Sequence, residues 1–212
     1  MTTGPLVAFV HATPASVEPV NTVLRADFPA ADPWHLVDDR LIGEADAAGG
    51  LTPALRRRML SLIRHAVDGG AAAVQLSCSM YGPVAALARE LWDVPVRGSD
   101  DAAFAEIARR GPARVLLLSS LDSALADSAR RLAEAAPDAG VLPARAGSAS
   151  ADSLVRAARP HLAEADLVLL ANYSLSPHAD ELATALGAEV LSPPRLGLAA
   201  LRAELPGRPA TP

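Results

Sequence analysis

This chain of 212 residues has little of several residue types, and each shortage excludes a class of chemistry. It contains no lysine, because all 19 basic residues are arginine, and so no mechanism can form a Schiff base through a lysine. It contains one cysteine, Cys78, which excludes an intrachain disulfide and a cysteine-rich metal site. His35, His65, His161 and His178 also lack metal-ligand spacing with a carboxylate or thiol.

Long apolar runs and excess positive charge are also missing. No apolar run approaches the roughly 18 residues of a membrane span, and Met1–Pro5 carries no basic signal region. The formal net charge is -5 and the pI is near 5.5, which disfavours nucleic acid and anionic membranes as partners. We therefore expect a soluble cytoplasmic protein.

What the chain does contain is a hydrophobic content of 50% with only 3% aromatic residues, so its core is built from Ala, Leu and Val. Short apolar runs alternate with helical patterns along the whole chain, which predicts an α/β fold with mostly parallel sheets. Only residues 140–150 give a weak pattern, with a short strand at Val141–Leu142, and Gly43–Thr52 is expected to form a loop.

An internal repeat divides the chain into two halves. Ala73–Pro83 and Leu167–Pro177 share a pattern of apolar strand, polar turn and proline-opened helix, and Cys78 aligns with Asn172. Leu6–Thr13 has a similar counterpart in Arg114–Leu121. The repeat predicts two pseudo-symmetric Rossmann-like lobes, one formed by residues 1–97 plus 190–212 and the other by residues 98–189. The natural binding site is the cleft between them.

Cys78 ends the first of these strands and precedes a helix. A helix N-terminus stabilises a thiolate, so the sequence indicates a reactive cysteine at the sheet edge where ligands bind. The ordinary alternative is a small buried hydrophobic residue.

The segment Leu76–Ser79 resembles the first cysteine motif of the aspartate/glutamate/hydantoin racemase superfamily. The segment Leu169–Ser174 stands where that family has its second cysteine motif, and His11–Pro14 takes the place of its first substrate loop. Gly49–Pro53 also resembles a loop found in one poorly characterised branch of the family. This resemblance implies an aspartate/glutamate racemase-like fold, an active site without metal or other cofactor, and a homodimer.

The chain departs from this family at the second cysteine, because Asn172 stands there. In the family, two thiols act on opposite faces of the substrate α-carbon, and an amide cannot serve as the second acid or base. Asn172 could instead hydrogen-bond a carboxylate or an enolate-like intermediate. Racemisation by paired cysteines is therefore excluded, and one-thiol chemistry remains.

Three reactions and one non-catalytic role stay open. Cys78 is expected to act as the single acid or base of a racemase or epimerase working on a small carboxylate or 1,3-dicarbonyl compound. The first alternative is a decarboxylase of the arylmalonate type, although the family's decarboxylases carry their cysteine in the second lobe. The second is a cis–trans isomerase of the maleate type, and the third is a binding protein on the same scaffold.

Candidate site residues lie mostly just after predicted strand ends. With Cys78, we expect His11 or Asp38 as a catalytic partner, although a structural hydrogen bond or a turn would also explain these two residues. The expected substrate-binding residues are Thr13, Ser79, Tyr81, Ser119, Ser120, Asn172, Tyr173 and Ser174. Hydroxyl residues at such positions commonly cap the following helix instead.

Overall fold

A computed structural model describes residues 4–205, which form strands and helices in regular alternation. The strands are β1 (Leu6–His11), β2 (Asp32–Val37), β3 (Ala73–Leu76), β4 (Val96–Arg97), β5 (Arg114–Ser119), β6 (Gly140–Arg145), β7 (Leu167–Leu170) and β8 (Val190–Leu191). The helices are α1 (Val17–Asp27), α2 (Leu41–Ala47), α3 (Pro53–Asp68), α4 (Gly82–Arg89), α5 (Asp101–Arg110), α6 (Asp122–Ala135), α7 (Ala151–Ala158), α8 (Ala179–Leu186) and α9 (Pro193–Glu204). Short 3₁₀ turns lie at Pro14–Ser16, Ser79–Tyr81, Arg159–Glu164 and Tyr173–His178.

The strands form two four-stranded parallel sheets with the orders β2-β1-β3-β4 and β6-β5-β7-β8. In each sheet the two central strands are almost wholly buried, which fits the continuous apolar runs in their sequences. The predicted α/β fold with two lobes is therefore confirmed.

The two sheets repeat the same register. Val7 pairs with Ala73 in the first sheet, as Val115 pairs with Leu167 in the second. Val74 likewise pairs with Val96, and the aligned Val168 pairs with Val190. The internal repeat seen in the sequence is thus a repeat of strand pairing, and it places the loop after β3 and the loop after β7 in equivalent positions.

Helix α2 corrects one expectation, because residues 41–47 are helical where a loop starting at Gly43 was expected. Leu41 and Ala45 lie four residues apart and are both fully buried, so tertiary packing holds this helix despite its glycine. Glycine does determine the backbone just after α2, where Gly49 and Gly50 adopt positive φ values of 70° and 141° that other residues rarely adopt.

The end of the chain connects the lobes. Strand β8 hydrogen-bonds to β7 in the second sheet. Helix α9 then packs against α1 and α5, and its buried Leu198 and Leu201 join a cluster with Val7 and Phe9 of the first sheet. The predicted lobe boundary at residue 190 therefore places β8 in a different lobe from β7, the strand with which it pairs. Helix α9, in contrast, does pack on the first lobe. Within residues 4–205, no helix combines the length and hydropathy needed to cross a membrane.

Candidate active site

A cavity of about 140 Å³ lies between the lobes, at the carboxyl ends of the central strands. The first lobe and the segment that follows it contribute Thr13, Ser16, Ile42, Asp46, Ser77, Cys78, Ser79, Met80 and Ser99 to its lining. The second lobe contributes Leu121, Ser123, Ala124, Asp127, Ala171, Asn172, Tyr173 and Ser174. Since one water molecule needs roughly 10–15 Å³ of such space, the cavity can hold a small organic molecule.

Cys78 and Asn172 both line this cavity, as the repeat predicts. Cys78 directly precedes the 3₁₀ turn Ser79–Tyr81, and Asn172 directly precedes the equivalent turn Tyr173–His178. Two short strand-to-helix connections therefore bring one thiol and one amide to the same space.

The thiol of Cys78 keeps its proton at neutral pH. Burial raises the pKa of Cys78 to about 11, and the nearby Asp100 carboxylate acts in the same direction. The backbone N–H groups of Met80 and Tyr81 and the Arg131 guanidinium favour the thiolate, but they do not overcome desolvation. The helix effect expected from the sequence is present but outweighed, so the resting thiol is a proton donor.

Asn172 hydrogen-bonds to Ser119, whose Oγ also lies 3.0 Å from the carbonyl oxygen of Leu121. The Oγ of Ser119 donates to Oδ1 of Asn172 at 2.7 Å, and the backbone N–H of Leu121 donates to the same Oγ at 3.0 Å. With its oxygen engaged, Asn172 can offer its NH₂ group to an acceptor in the cavity. Ser119 itself is fully buried and supports Asn172 rather than lining the cavity.

His11 lies behind the cavity wall and not in it. Its side chain is fully buried, with Nδ1 2.8 Å from Oγ of Ser16 and 2.9 Å from Oγ of Ser77, both of which line the cavity. Its Nε2 lies 2.9 Å from Nδ1 of His35. Burial, and then the neighbouring His35, lower the pKa of His11 to about 3. We therefore do not assign His11 direct contact with a substrate.

Asp38 lies outside the cavity and is engaged by Arg58, which approaches its carboxylate at 2.6 Å and 2.8 Å. Its backbone carbonyl accepts from Leu41, and its Oδ1 accepts from the backbone N–H of Arg40, so it shapes the start of α2. The turn-forming interpretation fits this geometry, and a direct role as general base does not.

The remaining candidates divide by whether they line the cavity. Thr13, Ser79, Tyr173 and Ser174 line the cavity, and Ser120 does not. Tyr81 is fully buried in the core of the first lobe, where its hydroxyl donates to the carbonyl of Leu41 at 3.0 Å. Tyr81 therefore does not line the cavity, and its one hydrogen-bond donor is used inside the core.

Sequence reasoning missed four hydroxyl residues that line the cavity: Ser16, Ser77, Ser99 and Ser123. Ser77 directly precedes Cys78, and the repeat that aligns Thr13 with Leu121 also aligns Ser16 with Ala124, which faces the same cavity. Extending the repeat past the strand ends would have found Ser16.

Two charged residues, both acidic, line the cavity. Asp46 and Asp127 line it, and Asp127 is already paired with Arg130 and Arg131 at 2.9 Å and 2.8 Å. An adjoining cavity of about 450 Å³ shares Asp46, Met80, Ser123 and Asp127 with the first and is also lined by Arg56 and Arg130. No group of three or more His, Cys, Asp or Glu residues able to hold a metal ion occurs in the described part of the chain.

No protein-family model and no curated protein sequence matches the chain. Among solved structures it is similar to allantoin racemase from Klebsiella pneumoniae, with a TM-score of 0.72 and 17% identity over 94% of this chain and 87% of that chain. It is also similar to a glutamate racemase from Bacillus anthracis, with a TM-score of 0.71 and 12% identity over 97% and 82% of the two chains. Unliganded arylmalonate decarboxylase gives a TM-score of 0.67 and 19% identity over 97% of both chains.

Identities this low establish the fold alone. The solved structures, the cysteine motif and the internal repeat nevertheless all indicate the same two-lobed architecture. This chain has the two-lobed α/β fold of the aspartate/glutamate/hydantoin racemase superfamily.

Proposed function

We propose that this chain is a cofactor-independent isomerase of the racemase or epimerase type, with Cys78 as its single thiol acid or base. The supporting observation is that Cys78 and Asn172 line one small cavity from pseudo-symmetric strand ends of the two lobes. A site of this shape lets a thiol act on a carbon atom held between the lobes.

Such a reaction passes through a carbanion or enediolate, which needs hydrogen-bond donors in a place with little water. The cavity supplies the NH₂ group of Asn172 and hydroxyl groups from both lobes, including Ser79 and Ser174. These neutral donors can stabilise negative charge on a substrate oxygen without titrating near pH 7.

The lining also bears on the class of substrate. Among the described residues, no arginine lines the cavity that holds Cys78, whereas Arg56 and Arg130 line the adjoining one. A 1,3-dicarbonyl compound would be held by the neutral donors alone, and a carboxylate could extend toward the two arginines. Both classes therefore belong in the test.

A decarboxylase is the second candidate, and the raised pKa of Cys78 favours it over cis–trans isomerisation. A neutral thiol can protonate the carbanion left by loss of carbon dioxide. Addition to a double bond instead requires a thiolate, which is scarce when the pKa is about 11.

Deuterium wash-in tests the proposal. The protein is incubated in heavy water with both enantiomers of aspartate, glutamate and allantoin, and with phenylmalonate, whose carbon dioxide release is measured separately. We expect exchange at the α-carbon or decarboxylation with at least one compound, and a loss of at least 100-fold in Cys78→Ala, in keeping with the size of general acid–base effects. Ser61→Ala, at an exposed serine on α3, is the matched control and should keep full activity.

Activity that survives Cys78→Ala would overturn the role of the thiol. If no compound reacts but one binds saturably, the chain is a binding protein on the racemase scaffold.

A further inference from the structure

Two of the four charged side chains that line the adjoining cavity of about 450 Å³ have no partner. Asp127 and Arg130 are paired with each other at 2.9 Å. The side chains of Asp46 and Arg56 form no hydrogen bond or ion pair with each other or with any other residue within 4–205. The cavity therefore presents one negative and one positive charge that the protein itself does not neutralise.

Arg56 lies at the positive end of a helix. It ends the first turn of α3, which has 16 residues, starts at Pro53 and carries no acidic residue in that turn. The N–H groups at a helix start carry a partial positive charge, so Arg56 and its own helix repel each other. An anion at this place would be attracted by both, and a carboxylate matches the guanidinium group in shape.

Asp46 lies at the negative end of the preceding helix. It is in the last turn of α2, which contains no basic residue. The carbonyl groups at a helix end carry a partial negative charge, so Asp46 and the helix end would both attract a cation such as an ammonium group. The loop between the two helices also lines the cavity, and a Cβ atom on Gly49 or Gly50 would meet no atom within 4 Å. Space is therefore open beside the two charges.

We propose that the adjoining cavity binds the α-amino-carboxylate group of a substrate, with Asp46 holding the ammonium group and Arg56 the carboxylate. One group of this kind carries both charges and neutralises both unpaired side chains at once. A simple carboxylate would satisfy Arg56 but would be repelled by Asp46, and a simple amine would leave Arg56 without a partner. The pair of Asp127 and Arg130 adds no net charge to this balance.

The two cavities also indicate which carbon of such a substrate reacts. Asp46 lines both cavities, whereas Arg56 lines only the adjoining one and Cys78 only the other. The α-carbon is bonded to both charged groups, so it lies between Asp46 and Arg56. The carbon that meets Cys78 then belongs to the side chain, and this step rests on the proposed function of Cys78. The substrate class is an α-amino acid whose side chain carries a carbonyl group beside an acidic C–H bond.

Three matched compounds test the site at pH 7. They are 2-amino-4-oxopentanoate, which has both charged groups, 4-oxopentanoate, which lacks the ammonium group, and 4-amino-2-butanone, which lacks the carboxylate. We expect the first to bind at least about tenfold more tightly than either of the others, in keeping with charge-assisted hydrogen bonds. Saturable shifts of the protein's amide resonances in nitrogen-15 NMR measure the three affinities.

Two substitutions separate the roles of the charges. Asp46→Asn should remove the advantage over 4-oxopentanoate, and Arg56→Gln should remove the advantage over 4-amino-2-butanone. Asp39→Asn and Arg57→Gln are the matched controls, because these two residues are also exposed and line neither cavity. Equal affinity for the three compounds, no binding of any of them, or an unchanged preference in the two variants would overturn the site.

Alkylation of Cys78 tests where the side chain of the bound compound lies. Saturating 2-amino-4-oxopentanoate should slow labelling by iodoacetamide at pH 8 at least about tenfold, since the sulfur must be accessible to react. Unchanged labelling by a compound that binds would overturn the placement of the reacting carbon in the side chain. Deuterium exchange at the α-carbon, instead of at the carbon between it and the ketone, would overturn that placement as well.

Binding is measured without turnover, so the site and the proposed function can fail separately. A protein that binds 2-amino-4-oxopentanoate with the expected preference but exchanges no proton in any compound would overturn the proposed function and leave the binding site in place. Exchange that depends on Cys78 but not on Asp46 or Arg56 would overturn the binding site and leave the proposed function in place.

Discussion

Cys78 shows how strongly the surroundings of a single residue decide its chemistry. The sequence places it correctly in the cleft, beside a helix start that favours the thiolate. The structure adds the desolvation that reverses the net effect and raises its pKa to about 11. Local sequence reveals the neighbouring N–H groups but not the depth at which the sulfur lies, because that depth depends on how Cys78 packs against the folded core of the first lobe.

The first prediction at this scale concerns alkylation of Cys78. Because only the thiolate reacts, iodoacetamide should label the folded protein slowly at pH 7, and the rate should rise about tenfold per pH unit up to a pH near 11. In urea the same thiol should react about 100-fold faster at pH 7, since an unfolded chain restores an ordinary cysteine pKa. Mass spectrometry of timed samples measures both rates. A plateau near pH 8 in the folded state would contradict the prediction.

A second prediction concerns His11 and acid. The pKa of His11 is lowered from its ordinary value of 6.5 to about 3, so the folded state favours the neutral ring. Stability is therefore complete above pH 6.5 and lost as the pH falls. We expect the free energy of unfolding to drop by about 1.4 kcal/mol per pH unit across this range on account of His11.

Urea unfolding at pH 7 and pH 5 measures this slope. His11→Asn should make it shallower, whereas His65→Gln should leave it unchanged. The same slope in His11→Asn as in the unaltered protein would show that other groups cause the acid sensitivity.

Among the secondary-structure elements, the central strands were predictable and the outer ones less so. β1, β3, β5 and β7 are buried on both faces, so their sequences are continuous apolar runs. β6 is an edge strand with exposed positions and an internal proline, Pro143, which an edge tolerates. Its sequence carries little apolar pattern, and only Val141–Leu142 was recognised as strand.

Helix α9 supports a prediction about packing. A Cβ atom on Gly197 would lie 3.0 Å from Oε1 of Gln75 and 3.3 Å from the hydroxyl of Tyr173. The Gln75 amide is held by its bonds to the carbonyls of Leu76 and Gly98, both at 2.9 Å, so it cannot move aside easily. We expect Gly197→Ala to destabilise the fold by about 1–3 kcal/mol, a typical effect of overpacking.

The control for this change is Gly43→Ala in α2, where an added Cβ meets no atom within 4 Å. It should be neutral or stabilise the protein by up to about 1 kcal/mol, because alanine favours helix more than glycine does. Thermal unfolding compares the two variants. Equal stabilities would mean that α9 shifts to accept the methyl group.

For the whole molecule, the repeat was enough to predict two lobes and a cleft holding Cys78 and Asn172. It was not enough to predict the chain of hydrogen bonds behind that cleft. His11 and His35 meet because β1 and β2 lie side by side with Phe9 opposite His35, a register that cannot be read from either strand alone. The contact between His11 and His35 therefore depends on the pairing of distant segments, which local sequence patterns do not reveal.

The junction of the lobes supports a further prediction. Arg131 on α6 is paired with the buried Asp100 and lies over the ring of Phe104, 5.2 Å from its centroid. It also reaches the first lobe, since a Cβ atom on Gly82 would lie 2.8 Å from its Nη1. Arg131→Met should destabilise the protein by about 3–5 kcal/mol, because it leaves a buried carboxylate without its partner.

Adding Asp100→Asn should recover part of that loss, as the unpaired charge is then removed. Arg130→Met is the neighbouring control and should cost less than about 1 kcal/mol, since its ion pairs are exposed. Urea unfolding measures all three variants. Similar losses for Arg131→Met and Arg130→Met would show that the buried pair does not hold the junction.

The single cysteine has a practical consequence for experiments on this protein. Because Cys78 is the one thiol among 212 residues and lines the cavity, a fluorine-bearing thiol reagent used at alkaline pH, where the thiolate forms, would attach at that place alone. No cysteine-free background is needed, and the fluorine resonance would report directly on the space between the lobes. Titrating compounds against such a probe would rank ligands by their effect on that resonance before any reaction has been found.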